Sequence, residues 1–569
     1  MQLKKPLIEF VEFGFQYHSQ SEPTLLELNC TIYEGEKVLI VGPSGSGKSS
    51  FAHCINGLIP FYYSGEMTGS LKIRGKELRE LNLTQISDLV GTVLQDPDGQ
   101  FVGLTVAEDI AFKLENDGIP QLEMRQKVAA SALRVGMENH LDQAPHVLSG
   151  GQKQRTTLAG VLVNDVEILL FDEPLANLDP RTGKSAIELI DEIHQDTQKT
   201  IIIIEHRLEE VLHRGIDRII VMYEGRIIAD LTPNELLCSS LLRQIGIREP
   251  LYLSALRYAG CEITPEMKPC HIESIILDPC KFQLHEWIKN RNQPSASQET
   301  QALLELRHIH FRYDEHKEIL HDVSFTLHEG EMVCIVGMNG AGKSTVSKLI
   351  CGFYKPTSGQ MLLKNKDMLS MTIRERAEHI GYVLQNPNQM ISQTLIFDEV
   401  AFGLKIRGVP ESQVKERVYD VLKVCGLYAF RNWPISALSF GQKKRVTIAS
   451  ILVLNPQILI LDEPTAGQDF KHYNEMMEFI LQLNRQGVTI IMITHDMHLM
   501  LEYAERAIVL AEGRRIADDC PANVLTDAHI IEAAHLKETS LDRLAVRAGL
   551  DQPIDLLLTF IDEDRRKRN

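Results

Sequence analysis

The octapeptides GPSGSGKS (42–49) and GMNGAGKS (337–344) are the stretches of this chain whose residue types and spacing point most directly to chemistry. Each follows a short apolar run, KVLIVG (37–42) or MVCIVG (332–337), and each leads into a helical pattern. Strand, glycine-rich loop and helix in that order make a phosphate cradle. Backbone N–H groups curl toward phosphate oxygens, and the helix N-terminus adds its positive end. In the first copy the loop is Gly42, Pro43, Ser44, Gly45, Ser46 and Gly47; Lys48 would reach the β- and γ-phosphates, Ser49 would ligate Mg²⁺, and Ser50 follows. The second copy supplies Gly337, Met338, Asn339, Gly340, Ala341 and Gly342, then Lys343, Ser344 and Thr345.

Two further patterns supply groups for hydrolysis. EILLFDEP (167–174) and ILILDEP (458–464) are apolar strands that end in adjacent acids, which a buried strand does not carry unless they are solvated or paired. Asp172 and Asp462 suit the Mg²⁺ shell, and Glu173 and Glu463 suit activation of the attacking water. TIIIIEH (200–206) and TIIMITH (489–495) end in His206 and His495, candidates for a γ-phosphate contact. Gln95 and Gln385, each after an apolar run, could bind Mg²⁺ or the lytic water. Upstream, Tyr17 and Tyr313 stand about thirty residues before the lysines and could stack on a base, while Phe15 and Phe311 suit strand packing.

These pairs keep register. The lysines are 295 residues apart; the glutamines, the aspartates and the octets LSGGQKQR (148–155) and LSFGQKKR (438–445) are all 290 apart. One domain is therefore present twice. The octets read as helix starts, with Ser149 capping the run that follows.

With the octets the chain resembles the ATP-binding cassette (ABC) ATPases over both halves. The order of motifs is aromatic, P-loop, glutamine, LSGGQ signature, acidic strand end, ANLD or AGQD loop, histidine. The resemblance implies an α/β fold: two tandem P-loop NTPase domains, each with a RecA-like core, an antiparallel β subdomain and a helical signature subdomain. It implies ATP and Mg²⁺ as cofactors. It also implies that each signature serves the other cassette's P-loop. Ser439, Gly441 and Gln442 would then complete the site of Lys48, Glu173 and His206, and Ser149, Gly151 and Gln152 that of Lys343, Glu463 and His495, within one chain or between two. Departures at Phe440, opposite Gly150, and at Gln468, opposite Leu178, make the two sites unequal without removing either.

The expected organisation is ABC domain 1 at 1–235, a connector at 236–301, ABC domain 2 at 302–520 and a helical tail at 521–569 ending in a solvated charged run, DEDRRKRN (562–569). The connector holds seven Lys+Arg against seven Asp+Glu and ends in RNQPSASQET (291–300), which reads as a flexible linker. Net charge is −18, against a general nucleic-acid binder or docking on anionic lipid. The start lacks the apolar core of a signal peptide, and no window is apolar enough to span a membrane. Ten cysteines lack paired spacing; Cys261, Cys270 and Cys280 with His271 are too widely spaced for a zinc site.

Soluble tandem cassettes include ribosome-acting translation factors, but those join their halves by a long basic helical arm, unlike this neutral, Pro-containing connector. A sugar-importer tandem is a nearer alternative, although there one copy commonly has decayed motifs. VLQDPDGQFVGLTVAEDIAFKLEN (93–116) and VLQNPNQMISQTLIFDEVAFGLKIRG (383–408) look like the glutamine loops of energy-coupling-factor (ECF) importers of vitamins and metal ions. A fused double cassette is similar to the ATPase proposed for thiamine or hydroxymethylpyrimidine import. That resemblance implies a peripheral ATPase on the cytoplasmic face of the membrane, with a transmembrane coupling protein and a substrate-binding membrane protein as partners. Asp96, Asp98, Glu108, Asp109, Asp398 and Glu399 could meet arginines on such subunits.

Overall fold

The computed structural model describes residues 5–95, 97–176, 178–290, 301–313, 317–466 and 468–568. The linker at 291–300, Asp96, the Asp98 side chain, Asn177 of ANLD and Gly467 of AGQD lie outside the described residues. The chain divides into two compact units, Met1–Cys280 with Asp469–Lys471, and Lys281–Gln468 with His472–Asn569.

In the first unit a six-stranded sheet runs in the order Arg226–Leu231, Arg218–Tyr223, Lys37–Val41, Thr200–Ile204, Ile168–Asp172, Val90–Val93. All neighbours are parallel except the first pair. Its central strands are apolar on both faces, and Lys37–Val41 and Thr200–Ile204 are buried throughout, because helices cover both sides of a parallel sheet. A second, antiparallel sheet orders Leu25–Tyr33, Pro6–Tyr17, Gly65–Ile73 and Lys76–Glu77. Helices Val106–Asn116, Gln121–Arg134 and Gly150–Leu162 form a helical subdomain.

The second unit repeats this plan. Its six strands are Ile380–Val383, Ile458–Asp462, Thr489–Ile493, Met332–Val336, Arg506–Ala511 and Arg514–Asp519. Its antiparallel sheet is Glu318–His328, Ala302–Arg312, Ser358–Leu363 and Lys366–Asp367, and its signature helix is Phe440–Leu452. The expected fold class holds. The five residues that separate the 295 and 290 offsets fall between Gly57 and Gly69, where the first copy adds a short helical turn at Leu58–Phe61.

The stretch after the first cassette is packed rather than loose. Leu253, Leu256 and Ile275 are fully buried, and the buried Glu249 lies 3.4 Å from Arg243 and 3.3 Å from Arg257. Cys261, Cys270 and Cys280 are buried in the same stretch. The tail is more buried than its charge suggests. Helix Pro553–Arg568 turns Leu556, Leu557 and Phe560 inward, which buries Asp564 and lets Arg565 donate to the Ala504 carbonyl at 3.0 Å. The apolar face of the helix draws part of the charged run in with it.

Candidate active site

The functional motifs gather at the carboxyl ends of the parallel strands, where an open α/β sheet binds ligands. Lys37–Val41 delivers the P-loop, Ile168–Asp172 delivers Asp172 and Glu173, and Thr200–Ile204 delivers Glu205 and His206. The second unit delivers Lys343, Asp462, Glu463 and His495 in the same way.

Helix Lys48–Ile55 starts after Gly47 at φ 97°, and helix Lys343–Cys351 after Gly342 at φ 101°. A Cβ at Gly47 would stand 2.9 Å from Leu25 Cδ2 and 3.1 Å from the Thr24 carbonyl, so only glycine fits this turn. Lys48 and Lys343 are each 8% exposed. Lys48 Nζ donates to the carbonyls of Gly42 (2.8 Å) and Pro43 (2.9 Å), and Lys343 Nζ to those of Gly337 (2.7 Å) and Met338 (2.9 Å). Burial pulls Lys48 below its ordinary pKa. Ser46 Oγ is buried with no hydrogen-bond partner among the described residues, and Ser49 and Ser344 are exposed on the first turn of their helices. A cavity of about 890 Å³ brings Tyr17 together with Gly45, Gly47, Lys48, Ser49 and Ser50. The Tyr17 hydroxyl is 2.9 Å from Ser50 Oγ, and that of Tyr313 is 3.2 Å from Thr345 Oγ1. Phe15 and Phe311 are buried in the strands as expected.

Glu173 and Glu463 both adopt left-handed backbone, at φ 48° and 46°. A non-glycine residue held there marks a position the surroundings fix firmly. Each donates its backbone N–H to the adjacent strand, Glu173 to Ile204 and Glu463 to Ile493. Burial, with the nearby Glu205 and Asp172 carboxylates, pushes Glu173 up to about 7, and burial also raises Asp172 and Asp462.

The partners of these groups differ between copies. Gln95 and Gln385 are both exposed just beyond their strands, and Gln95 Nε2 donates to Glu173 Oε2 at 2.5 Å. His206 Nδ1 is 3.9 Å from Glu173, but His495 Nδ1 is 2.6 Å from Glu463. Two residues absent from the sequence reading stand here. Tyr382 donates its hydroxyl to Asp462 Oδ2 at 2.9 Å, where the first copy has Thr92. Glu205, opposite Thr494, is 1% exposed beside His206. Lining up TIIIIEH with TIIMITH shows that difference, but not its consequence.

The signature octets begin helices as expected. Ser149 and Ser439 cap Gly150–Leu162 and Phe440–Leu452, each closing a capping box with Gln152 or Gln442. A Cβ at Gly151 would lie 2.4 Å from Thr182 Cγ2, so that glycine is required by packing. At Gly150 a Cβ would meet only Leu178 Cδ2 at 3.5 Å, an ordinary contact, and Gly150 is not left-handed. Phenylalanine is therefore admissible at this helix position, and Phe440 is 41% exposed there. Phe440→Gly is expected to change the steady-state ATPase rate less than about threefold, the mild cost of glycine at an exposed helix position. Complete loss of activity would contradict this. Below Phe440, Lys444 replaces Gln154; it is buried, donates to the Glu463 carbonyl, and is lowered by burial to about 8.

The acids of the glutamine loops mostly accept hydrogen bonds from their own backbone. Asp109 Oδ1 accepts from Val102 and Gly103, and Glu108 closes the capping box of Thr105. Glu399, 5% exposed, accepts from the Ser392 and Gln393 N–H groups, and Asp398 pairs with Lys405 at 3.1 Å. The region also exposes apolar side chains: Val102, Leu104 and Phe112 in the first copy, Phe402, Ile406 and Trp433 in the second.

Comparison with known proteins settles the family. A model described as ABC transporter matches 25–176 and 320–466. A protein of Clostridium perfringens named as an ABC transporter ATP-binding protein is 60% identical over 566 residues, covering 100% of both chains. The chain belongs to the ABC transporter ATP-binding proteins. ABC relatives with the same naming include one of Enterococcus faecalis at 57% identity and one of Staphylococcus aureus strain MRSA252 at 52%, each covering 100% of both chains. A second model, described as an ATP-binding cassette cobalt transporter, matches 239–311. Among solved structures, CbiO1 of C. perfringens, described as part of the ABC transporter complex CbiONQ, is similar at 34% identity and TM-score 0.39, covering 41% of this chain and 94% of that one. This ABC protein thus carries two ATP-binding cassettes with ATPase activity coupled to transport. Among the described residues no helix is long and apolar enough to cross a membrane.

Proposed function

We propose that the chain is the energy-coupling ATPase of a membrane importer for a vitamin-like small molecule or a metal ion. The observation that carries this reading is that both cassettes retain a buried P-loop lysine, a strand-end Asp–Glu pair and a nearby histidine. Duplication without decay fits a transporter that uses two working ATP sites. The match of 239–311 to a cobalt-transporter model and the ECF-like glutamine loops support the substrate class.

The donor set also suits Mg²⁺, which binds through one or two carboxylates plus phosphates and keeps much of its water. Asp172 with Ser49, and Asp462 with Ser344, would hold it, and Gln95 and Gln385 are further oxygen donors; bound there, it would neutralise charge on the phosphates. Lys48 and Lys343 bind the phosphates, Tyr17 and Tyr313 stack on the base, and Glu173 and Glu463 accept a proton from the attacking water. His206 and His495 orient the terminal phosphate. By family resemblance each site is completed by the signature serine and glycine of the other cassette, so that closure depends on that phosphate and hydrolysis releases it. Bound at the cytoplasmic face, the chain drives a transmembrane coupling protein and a substrate-binding membrane protein between access states. The exposed apolar residues Val102, Leu104, Phe402 and Ile406 are its docking groups.

The test is purification of the tagged full chain from its native cells in mild detergent. Integral membrane subunits are expected in stoichiometric amount. Recovery with ribosomes and no membrane protein would refute the importer reading in favour of a translation factor.

A further inference from the structure

The segments that end in His206 and His495 differ at Ile203/Met492 and at Glu205/Thr494, and the second of these positions decides which carboxylate lies against the histidine. In the second copy Glu463 Oε1 accepts from the His495 backbone N–H at 3.1 Å and lies 2.6 Å from the ring Nδ1. In the first copy Glu205 takes both places: its Oε1 accepts from the His206 N–H at 2.9 Å and lies 3.3 Å from Nδ1. It also accepts from the Arg207 N–H at 3.2 Å, and its other oxygen from the Leu175 N–H at 3.3 Å. Thr494 cannot do this; its hydroxyl instead approaches Glu463 at 3.3 Å and accepts from the Asp496 N–H at 2.9 Å.

Glu205 is 1% exposed, so a carboxylate there is costly unless its lone pairs are satisfied. Three backbone donors satisfy it and fix it in place, which makes it a rigid anchor for the ring. Glu173 then stays 3.9 Å from His206 and pairs with Gln95. Which ring nitrogen carries the proton follows from the hydrogen bond the other makes. The hydrogen bond between Nδ1 and Glu463 favours N–H there in His495, and the 3.3 Å approach of Glu205 Oε1 turns the same ring atom of His206 toward a carboxylate. Both rings thus face an acid through Nδ1, one the candidate base and one a dedicated acid.

We propose that Glu205 is a positioning residue that relieves the candidate base of the Lys48 site from holding the histidine, so that the two sites of one chain orient the same groups by different partners. The assignment rests on the proposed roles of Glu173 and His206 for its catalytic consequence, but not for its geometry.

The experiment compares the full chain with its Glu205→Thr and Glu205→Gln variants by crystallography and by single-turnover ATP hydrolysis. In Glu205→Thr the His206 ring is expected to move onto Glu173, reproducing the His495–Glu463 contact. Hydrolysis of at least half of the bound ATP should slow about tenfold, as expected for a misplaced reacting group, with ATP affinity within about twofold of wild type. Glu205→Gln keeps one acceptor oxygen, which serves the His206 and Arg207 N–H groups and the ring while the Leu175 N–H loses its acceptor, and should restore the wild-type ring position and rate. A ring that stays away from Glu173 in Glu205→Thr would overturn the proposal, as would a Glu205→Gln variant that loses as much as Glu205→Thr. A ring that moves without any change in rate would uphold the positioning role and instead remove Glu173 from the role of base.

Discussion

A chain carrying Glu173→Gln together with Glu463→Gln should bind ATP as tightly as wild type and hydrolyse it at least about 100-fold more slowly, the usual contribution of a positioned general base. Glutamine preserves the shape and the acceptor oxygen but cannot take a proton. The geometry favours a specific loss. Both residues are held at left-handed φ by a backbone hydrogen bond to the neighbouring strand, so the substitution leaves the fold of the strand end intact. Burial has already pushed Glu173 toward neutrality, where a base both exists in ionised form and accepts a proton readily. Phosphate release gives the rate and calorimetric titration the affinity. Steady hydrolysis in the double variant would refute the base assignment.

Replacing Lys48 and Lys343 together by alanine should act on the opposite quantity, weakening ATP binding about 100-fold, as for loss of one partner of a buried charge pair. Each ammonium is buried and held by two loop carbonyls of its own P-loop. Phosphate oxygens offer it a better partner than those carbonyls, because opposite charge shortens and strengthens the hydrogen bond. The lysine also closes the loop from within, so alanine loosens the cradle as well as removing charge. Unchanged affinity in titration calorimetry would show that the glycine-rich backbone alone carries binding.

Much of this was legible before any coordinates. Apolar runs such as TIIII and ILLFD read as buried strands, and a strand that runs into GxxxxGKS or ends in DE announces its function at the point where it stops. Ser149 and Ser439 could be read as caps because the capping box is a local pattern. What sequence conceals is where a side chain spends its hydrogen bonds. Asp109 and Glu399 look like a charged docking surface, yet they tie down their own loop backbone. The tail DEDRRKRN looks solvated because charge dominates its composition, while the helix that carries it is drawn in by Leu556, Leu557 and Phe560. Glu205 and Tyr382 change the surroundings of Glu173 and Asp462 across neighbouring segments, which no spacing rule within one segment reveals. The copy-to-copy comparison locates such positions, and the geometry then says what they do.

ATP-driven uptake tests the central claim most directly. The chain, co-purified with its membrane subunits and reconstituted into vesicles with ATP enclosed in the lumen, should accumulate there the small molecule or ion that the membrane subunits bind. The same preparation carrying Glu173→Gln and Glu463→Gln should not. Equal uptake by wild type and double variant would contradict an ATPase that powers import.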